Sequence, residues 1–239
     1  MERPGQPRVR TTRQNIKSLA ELCTHADMPP LSLTPSALRA LVGDIDIYLF
    51  DQLLRGRITE SSTVLDAGCG GGRNLVFLMR AGVRVFGVDQ GPDAIDAVRR
   101  QAATLAPQLD PQNFLLEPVE AMTFGDATMD VVISSAVLHF ARDEAHFVAM
   151  ISEMWRVLAP DGLFFARLAS SIGIEQQIHR IDGRRHRLPD GSERFLVDEE
   201  LLMHHTARCG GSLLDPLKTT VVQGQRAMTT WVVKKHGAG

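Results

Sequence analysis

Aromatic residues are scarce in this chain: they make up 5% of its 239 residues, with a single tyrosine, Tyr48. Proteins that hold single-stranded nucleic acid stack its bases on aromatic side chains along a basic groove, and neither feature stands out here. Net charge is only −2, so the chain as a whole carries no field that would draw it to nucleic acid or to an anionic membrane. Cysteine is scarcer still. Cys23, Cys69 and Cys209 are odd in number and far apart, which excludes a disulfide framework and the paired spacing of a zinc site. No metal site is therefore expected, and a reducing cytoplasm is the simplest location. No apolar run approaches the roughly 20 residues that cross a bilayer. The N-terminus lacks the apolar core of a secretory signal.

What remains is ordinary globular composition, 44% hydrophobic and 23% charged, in a length that suits one large domain or two small ones. Residues 1 to about 30 have little periodicity. They carry Arg3, Arg8, Arg10, Arg13 and Lys17 against Glu2 and read as a disordered, solvated arm. Met28 opens the more regular part, and an internal start there is one explanation of the arm. The rest, 31–239, reads as a single domain. Thr34-Pro35 is a helix start, Gly43 a stop, and a second helix runs from about Asp44 to Arg55, so that two helices cap the region before residue 56.

From Ser62 short apolar runs alternate with amphipathic helices, the pattern of βαβ units in a parallel sheet. Strands are expected at Thr63–Ala67, Val83–Val88, Asn113–Glu117, Asp130–Ser135 and Leu163–Leu168. Helices are expected at Gly72–Arg80, Pro92–Leu105, Asp143–Leu158 and Asp198–Cys209. Two last strands, near Leu213–Val222 and Ala227–Lys234, would pair antiparallel. Residues 170–198 interrupt the alternation with a cluster rich in Arg and His (His179, Arg180, Arg184, Arg185, His186, Arg187) and a Pro189-Asp190-Gly191-Ser192 turn that predicts a hairpin. The fold class is α/β, a doubly wound Rossmann-like sheet with helices on both faces.

The most informative segment is Val64-Leu65-Asp66-Ala67-Gly68-Cys69-Gly70-Gly71-Gly72-Arg73-Asn74, a buried strand entering a glycine-rich turn that opens a helix. Glycine permits positive φ and close approach of a ligand, and the helix start supplies free N–H groups. Dinucleotide sites use G-x-G-x-x-G at this place. Begun at Gly68, that pattern meets Arg73 in place of its last glycine; begun at Gly70, it meets Leu75. Asp66 is also ill suited to a pyrophosphate, but suits a cationic ligand. Asp89 ends the second strand about 20 residues past the first glycine, where an acid can accept hydrogen bonds from ribose hydroxyls. A helix-capping role is its plain alternative.

On these residues the chain resembles the class I S-adenosylmethionine-dependent methyltransferases. Asp66 to Gly72 resembles the family's first motif and Asp89 its ribose acid. Glu117-Pro118-Val119-Glu120-Ala121-Met122 lies where the family places its adenine loop; Pro118 stands where an Asp is common, which leaves that contact to the Val119 backbone and Glu120. Val157 to Gly162 resembles the turn before the fifth strand. Gly72-Arg73-Asn74 is also similar to methyltransferases of the tellurite-resistance type. The resemblance implies a seven-stranded sheet, its last strand antiparallel, with S-adenosylmethionine across the ends of the first, second and fourth strands.

As cofactor contacts the resemblance implies Asp66, Gly68, Cys69, Gly70, Arg73, Asn74, Asp89, Gln90, Val119, Glu120 and Ser135. His139 is the candidate base or acceptor contact, with a structural histidine as the alternative; Tyr48, on a helix of the kind that covers the cofactor in related enzymes, is the other catalytic candidate. The 170–198 insertion reads as a lid over a small acceptor, anionic or polar, or as a solvated basic hairpin. Two other functions stay open: a nicotinamide-dependent oxidoreductase and a regulatory protein that binds the cofactor without transfer. Oligomeric state and the acceptor atom (oxygen, nitrogen, sulfur or a metalloid) are not legible.

Overall fold

The computed structural model describes residues 34–237. The expected basic arm, Cys23 and Met28 lie outside them. The chain divides into a unit ending at Leu38 and a larger unit beginning at Arg39. Helix α1 (Pro35–Val42) starts in the first, where Thr34 Oγ1 accepts from Ala37 N at 3.3 Å as an N-cap does. All that follows concerns the larger unit. Among the described residues no helix is long and apolar enough to cross a membrane.

The larger unit is built on a mixed sheet flanked by helices. In chain order its elements are α2 (Ile47–Leu54), β1 (Thr63–Ala67), α3 (Val76–Arg80), β2 (Arg84–Asp89), α4 (Pro92–Leu105), β3 (Phe114–Leu116), β4 (Met129–Ser135), α5 (Glu144–Val157), β5 (Leu158–Ala169), β6 (His179–Asp182), β7 (Arg185–Arg187), β8 (Glu193–Phe195), α6 (Glu199–Arg208), β9 (Gly211–Leu213), β10 (Lys218–Val222) and β11 (Arg226–Lys235). The sheet order is β10-β11-β5-β4-β1-β2-β3, with β9 also on β11. The β1, β2, β3, β4 and β5 pairings are parallel, while β11 runs antiparallel to β5, β9 and β10.

Strand periodicity sends alternate side chains to two cores. From β1, Val64 packs with Leu49 of α2, Leu78 and Met79 of α3, and Ile95 and Val98 of α4. Its neighbours Leu65 and Ala67 pack on the other face, with Phe147, Met150, Ile151 and Met154 of α5 and Leu202 of α6. Asp66 falls on the Val64 side. Helix starts are capped by carboxylates: Asp46 accepts from Tyr48 N at 3.0 Å, Asp143 from His146 N at 2.7 Å and Asp198 from Leu201 N at 2.8 Å.

Three expectations are corrected. The helix expected from Gly72 begins only at Val76, because Gly70 and Gly72 hold φ of +52° and +83°, off the right-handed helical path. The expected strand Leu213–Val222 is two pieces, β9 and β10, so the sheet has eight strands rather than seven. Pro216 between them offers no N–H to a ladder, and Asp215 is drawn aside by both Nη atoms of Arg57, at 2.7 and 3.0 Å. The insertion is a three-stranded antiparallel sheet, β6-β7-β8; the Pro189–Ser192 turn joins β7 to β8 as expected, and a second turn at Gly183 adds β6. Leu188 and Leu196 anchor the insertion on Ala169 and Ala227 at the sheet end.

Candidate active site

The glycine turn leaves β1 and folds over the end of β2, with Gly68 N and Cys69 N both donating to Val88 O at 2.9 Å. The glycines answer different needs. A Cβ at Gly68 (φ +82°) would lie 2.5 Å from Val137 Cγ2, and one at Gly72 would lie 2.7 Å from Val98 Cγ2. Only a Cβ at Gly70 would meet nothing within 4 Å. Gly70 is therefore the open point of the turn, and the other two are demanded by packing. Cys69 turns away from the cleft: its side chain is buried against Gly87, where a Cβ would lie 2.9 Å from Sγ. Burial, with the charges of Asp66 and Asp89, pushes its thiol far up, so it is an inert core residue.

Asp89 holds the turn in place. Its Oδ2 accepts from Gly70 N at 2.9 Å and its Oδ1 from Gly91 N at 2.8 Å. Asp89 does not cap α4, whose N-cap is Gly91 with no side-chain cap bond; its two bonds shape the turns, and each oxygen keeps a lone pair where the residue lines a cleft. That cleft, of about 260 Å³, is also lined by Gly68, Gln90, Val119, Glu120 and Phe140. His146 Nε2 stands 3.0 Å from Glu120 Oε1 at its wall.

Behind the turn lies Asp66, 1% exposed, with no hydrogen-bond partner for either carboxylate oxygen. Burial raises its pKa to about 7, against the opposing effects of the Arg73 charge and the neighbouring Asn74 amide. Arg73 donates to Ser135 Oγ at 3.0 Å and to Asp44 O at 3.2 Å, which ties it to the end of β4 rather than leaving it free on a helix face. Asn74 Oδ1 accepts from Asp46 N at 3.1 Å. The buried Asp46 carboxylate in turn accepts from Ser135 Oγ at 3.2 Å and Arg167 Nη1 at 3.1 Å. The structure thus gathers Asp66, Arg73, Asn74 and Ser135, all expected from the sequence, around two residues that were not. Asp46 had a faint signal as the acid before a helix; Arg167 had a better one, a lone charge in the apolar run of β5.

Ala136, just past β4, has φ of +65° and donates to Arg167 O at 2.7 Å. It is the one described residue common to the cleft beside the glycine turn and a second cavity of about 290 Å³. The second cavity is lined by His139, Arg167, Arg226 and, from the insertion, Asp190 and Arg194. His139 is buried, and Ala169 N donates to its Nδ1 at 3.3 Å. The neutral ring then carries its hydrogen on Nε2. Burial, helped by the Arg194 charge, lowers its pKa to about 4. His139 is thus a hydrogen-bond donor, which favours the acceptor-contact expectation over the general base.

Tyr48 does not line the second cavity. Its hydroxyl lies 2.7 Å from Thr220 Oγ1, and Arg167 and Lys218 stand over its ring at 5.2 and 5.3 Å. The insertion's most conspicuous arginines are paired away from the cavity: Arg184 with Asp198 at 2.8 Å, Arg185 and Arg187 with Glu193 at 3.1 and 2.8 Å.

A doubly wound sheet with a glycine turn fastened to an acid at the end of β2 defines an adenosyl-cofactor domain, and comparison with known proteins names the class. Residues 65–166 match the methyltransferase domain family. Over those residues the chain is similar to class I S-adenosylmethionine-dependent methyltransferase domains, which weighs against the oxidoreductase alternative. It is 32% identical over 128 residues to a malonyl-[acyl-carrier protein] O-methyltransferase of Serratia marcescens, covering 52% of this chain and 46% of that protein. It is 36% identical over 110 residues to a ubiquinone biosynthesis O-methyltransferase of Methylocella silvestris, covering 46% and 41%. The chain thus spans under half the length of these curated relatives. A solved S-adenosylmethionine-dependent methyltransferase of Methanosarcina mazei shares the fold, with a TM-score of 0.62 at 18% identity over 78% of this chain and 98% of that one.

Proposed function

We propose that the protein transfers a methyl group from S-adenosylmethionine to a small-molecule acceptor and releases S-adenosylhomocysteine. The observation that carries this reading is the pair of cavities meeting at Ala136, one beside the glycine turn and one beneath the insertion. The orphaned Asp66 carboxylate fits a ligand that brings positive charge, as an α-ammonium and a sulfonium do. Arg73 and Asn74 are assigned to the amino-acid tail, Asp89 and Gln90 to the ribose, and Val119 and Glu120 to the adenine. When bound, the sulfonium donor supplies an already activated methyl group. The chain's own task is to align the acceptor and exclude water, for which no catalytic triad is needed. The O-methyltransferases among its relatives favour a small acceptor. A cytoplasmic setting belongs to the same proposal, supported by the free thiols Cys69 and Cys209.

Calorimetric titration with S-adenosylhomocysteine, with NADH as the control, tests the binding half. Transfer of labelled methyl to small acceptors tests the chemistry. Tight uptake of the nucleoside with no transfer to any acceptor would leave a regulatory protein instead.

A further inference from the structure

We propose that the second cavity receives a small organic acid and that its carboxylate is itself methylated, giving a methyl ester. This rests on the methyl-transfer reading and adds the acceptor to it.

Positive charge dominates the walls. Arg167 is balanced by Asp46 through Nη1, yet its buried Nε has no partner. Arg194 is half-buried and has no carboxylate within 4.0 Å among the described residues; it donates to Glu193 O at 2.7 Å and lies 5.0 Å over the Phe140 ring. Arg226, exposed at the mouth, also has no ion-pair partner among the described residues. Among the described residues the only acid lining the cavity, Asp190, sits exposed at the rim, its Oδ1 accepting from Ser192 N at 2.9 Å and Ser192 Oγ at 2.6 Å. A guanidinium held by an aromatic face and lacking a counter-ion presents the fork geometry that carboxylates match. The volume, about 290 Å³, is near the lower end of small-ligand sites.

Among the described residues the cavity also has no free base. His139 already bears its hydrogen on Nε2, and Asp190 is tied up by Ser192, which holds its carboxyl below the usual range. An alcohol or ammonium acceptor would keep its proton here, whereas a carboxylic acid is ionised at neutral pH without help. In the transfer, a carboxylate lone pair forms the O–CH₃ bond while the methyl–sulfur bond breaks and its electron pair returns to sulfur. The anion and the sulfonium become a neutral ester and a neutral thioether, and no proton moves.

The test uses the full chain. Benzoate, phenylacetate, hexanoate and adipate are titrated calorimetrically into protein saturated with S-adenosylhomocysteine, beside benzyl alcohol, benzylamine and hexanethiol. The same panel is then offered with labelled donor, and products are treated with mild alkali, which frees volatile methanol from methyl esters alone. Acids are expected to bind, to give alkali-labile label, and to show an acceptor kcat/KM that stays flat between about pH 7.5 and 9 at saturating donor. Arg194→Gln and, at the exposed mouth, Arg226→Gln should each weaken acid binding roughly tenfold or more with S-adenosylhomocysteine affinity unchanged. Alkali-stable label, preference for the alcohol, amine or thiol, indifference to every acid, or acid binding untouched in both variants would overturn the inference while the methyltransferase reading stands. Failure of S-adenosylhomocysteine itself to bind would remove that reading, and this one with it.

Discussion

The Arg167 guanidinium donates to the buried Asp46 carboxylate at 3.1 Å across 121 residues of sequence. This bond joins the cap of α2 to the end of β5 and so helps hold the helix, packed through Leu49, against the sheet. Removing the acid would strand a largely buried cation. Asp46→Asn keeps a capping oxygen but loses the charge, and is expected to lower stability by about 2–3 kcal/mol in urea titration, below the full cost of a buried pair because Arg167 keeps some contact with water. Asp46→Ala should lose about 1 kcal/mol more with the cap.

The glycine turn separates packing from ligand access. Gly68→Ala forces a Cβ onto Val137 and should destabilise by about 2–4 kcal/mol. Val137→Ala should recover part of that loss in a double-mutant cycle. Gly70→Ala meets no atom, so it should cost only about 1 kcal/mol of stability, from its positive φ, while S-adenosylhomocysteine affinity falls roughly tenfold or more. Equal effects at the two positions would contradict the assignment of Gly70 as the open point.

Asp66 makes stability and binding depend on pH in opposite directions. Its folded pKa, about 7, lies above the ordinary 3.8, so over that interval the folded state binds more protons than the unfolded one. Stability must therefore decline as pH rises from about 4 to 7 through this group. Asp66→Asn should abolish that decline and stabilise the free protein at pH 8. A cationic ligand favours the ionised form, so its affinity should strengthen as pH rises toward 7, with proton release visible as a dependence of the heat on buffer ionisation enthalpy.

The paired arginines of the insertion should be nearly silent. Arg185→Ala and Arg187→Ala each remove one exposed contact to Glu193 and should change stability by less than about 1 kcal/mol. Their acceptor KM should match the unsubstituted protein in steady-state kinetics, in contrast with Arg194.

Local signals carried well into the structure. The helices expected from Pro92, Asp143 and Asp198 lie within a residue or so of α4, α5 and α6, because proline at a first helical position and apolar periodicity both rest on neighbours in sequence. Asp66, Arg73, Asn74 and Ser135 converge because one motif and one strand end place them. What escaped was decided at a distance. The partnership of Asp46 with Arg167 has no local trace, and Arg184 and Arg185 drew notice by their density although Asp198 and Glu193 neutralise them. Cys69 sat inside the right motif, yet the positive-φ turn at Gly68 carried its side chain into the core beside Gly87.

The meeting of the two chambers at one small residue gives the protein a modular character. Whatever alters the inner walls beneath the insertion leaves Gly70, Asp89 and Glu120 as they are, so on the proposed reading new acceptors can be tried by lineage or by design without rebuilding the side assigned to the nucleoside. Ala136 lines both chambers, and a bulkier residue there should narrow the place where they adjoin while leaving the rest of each intact.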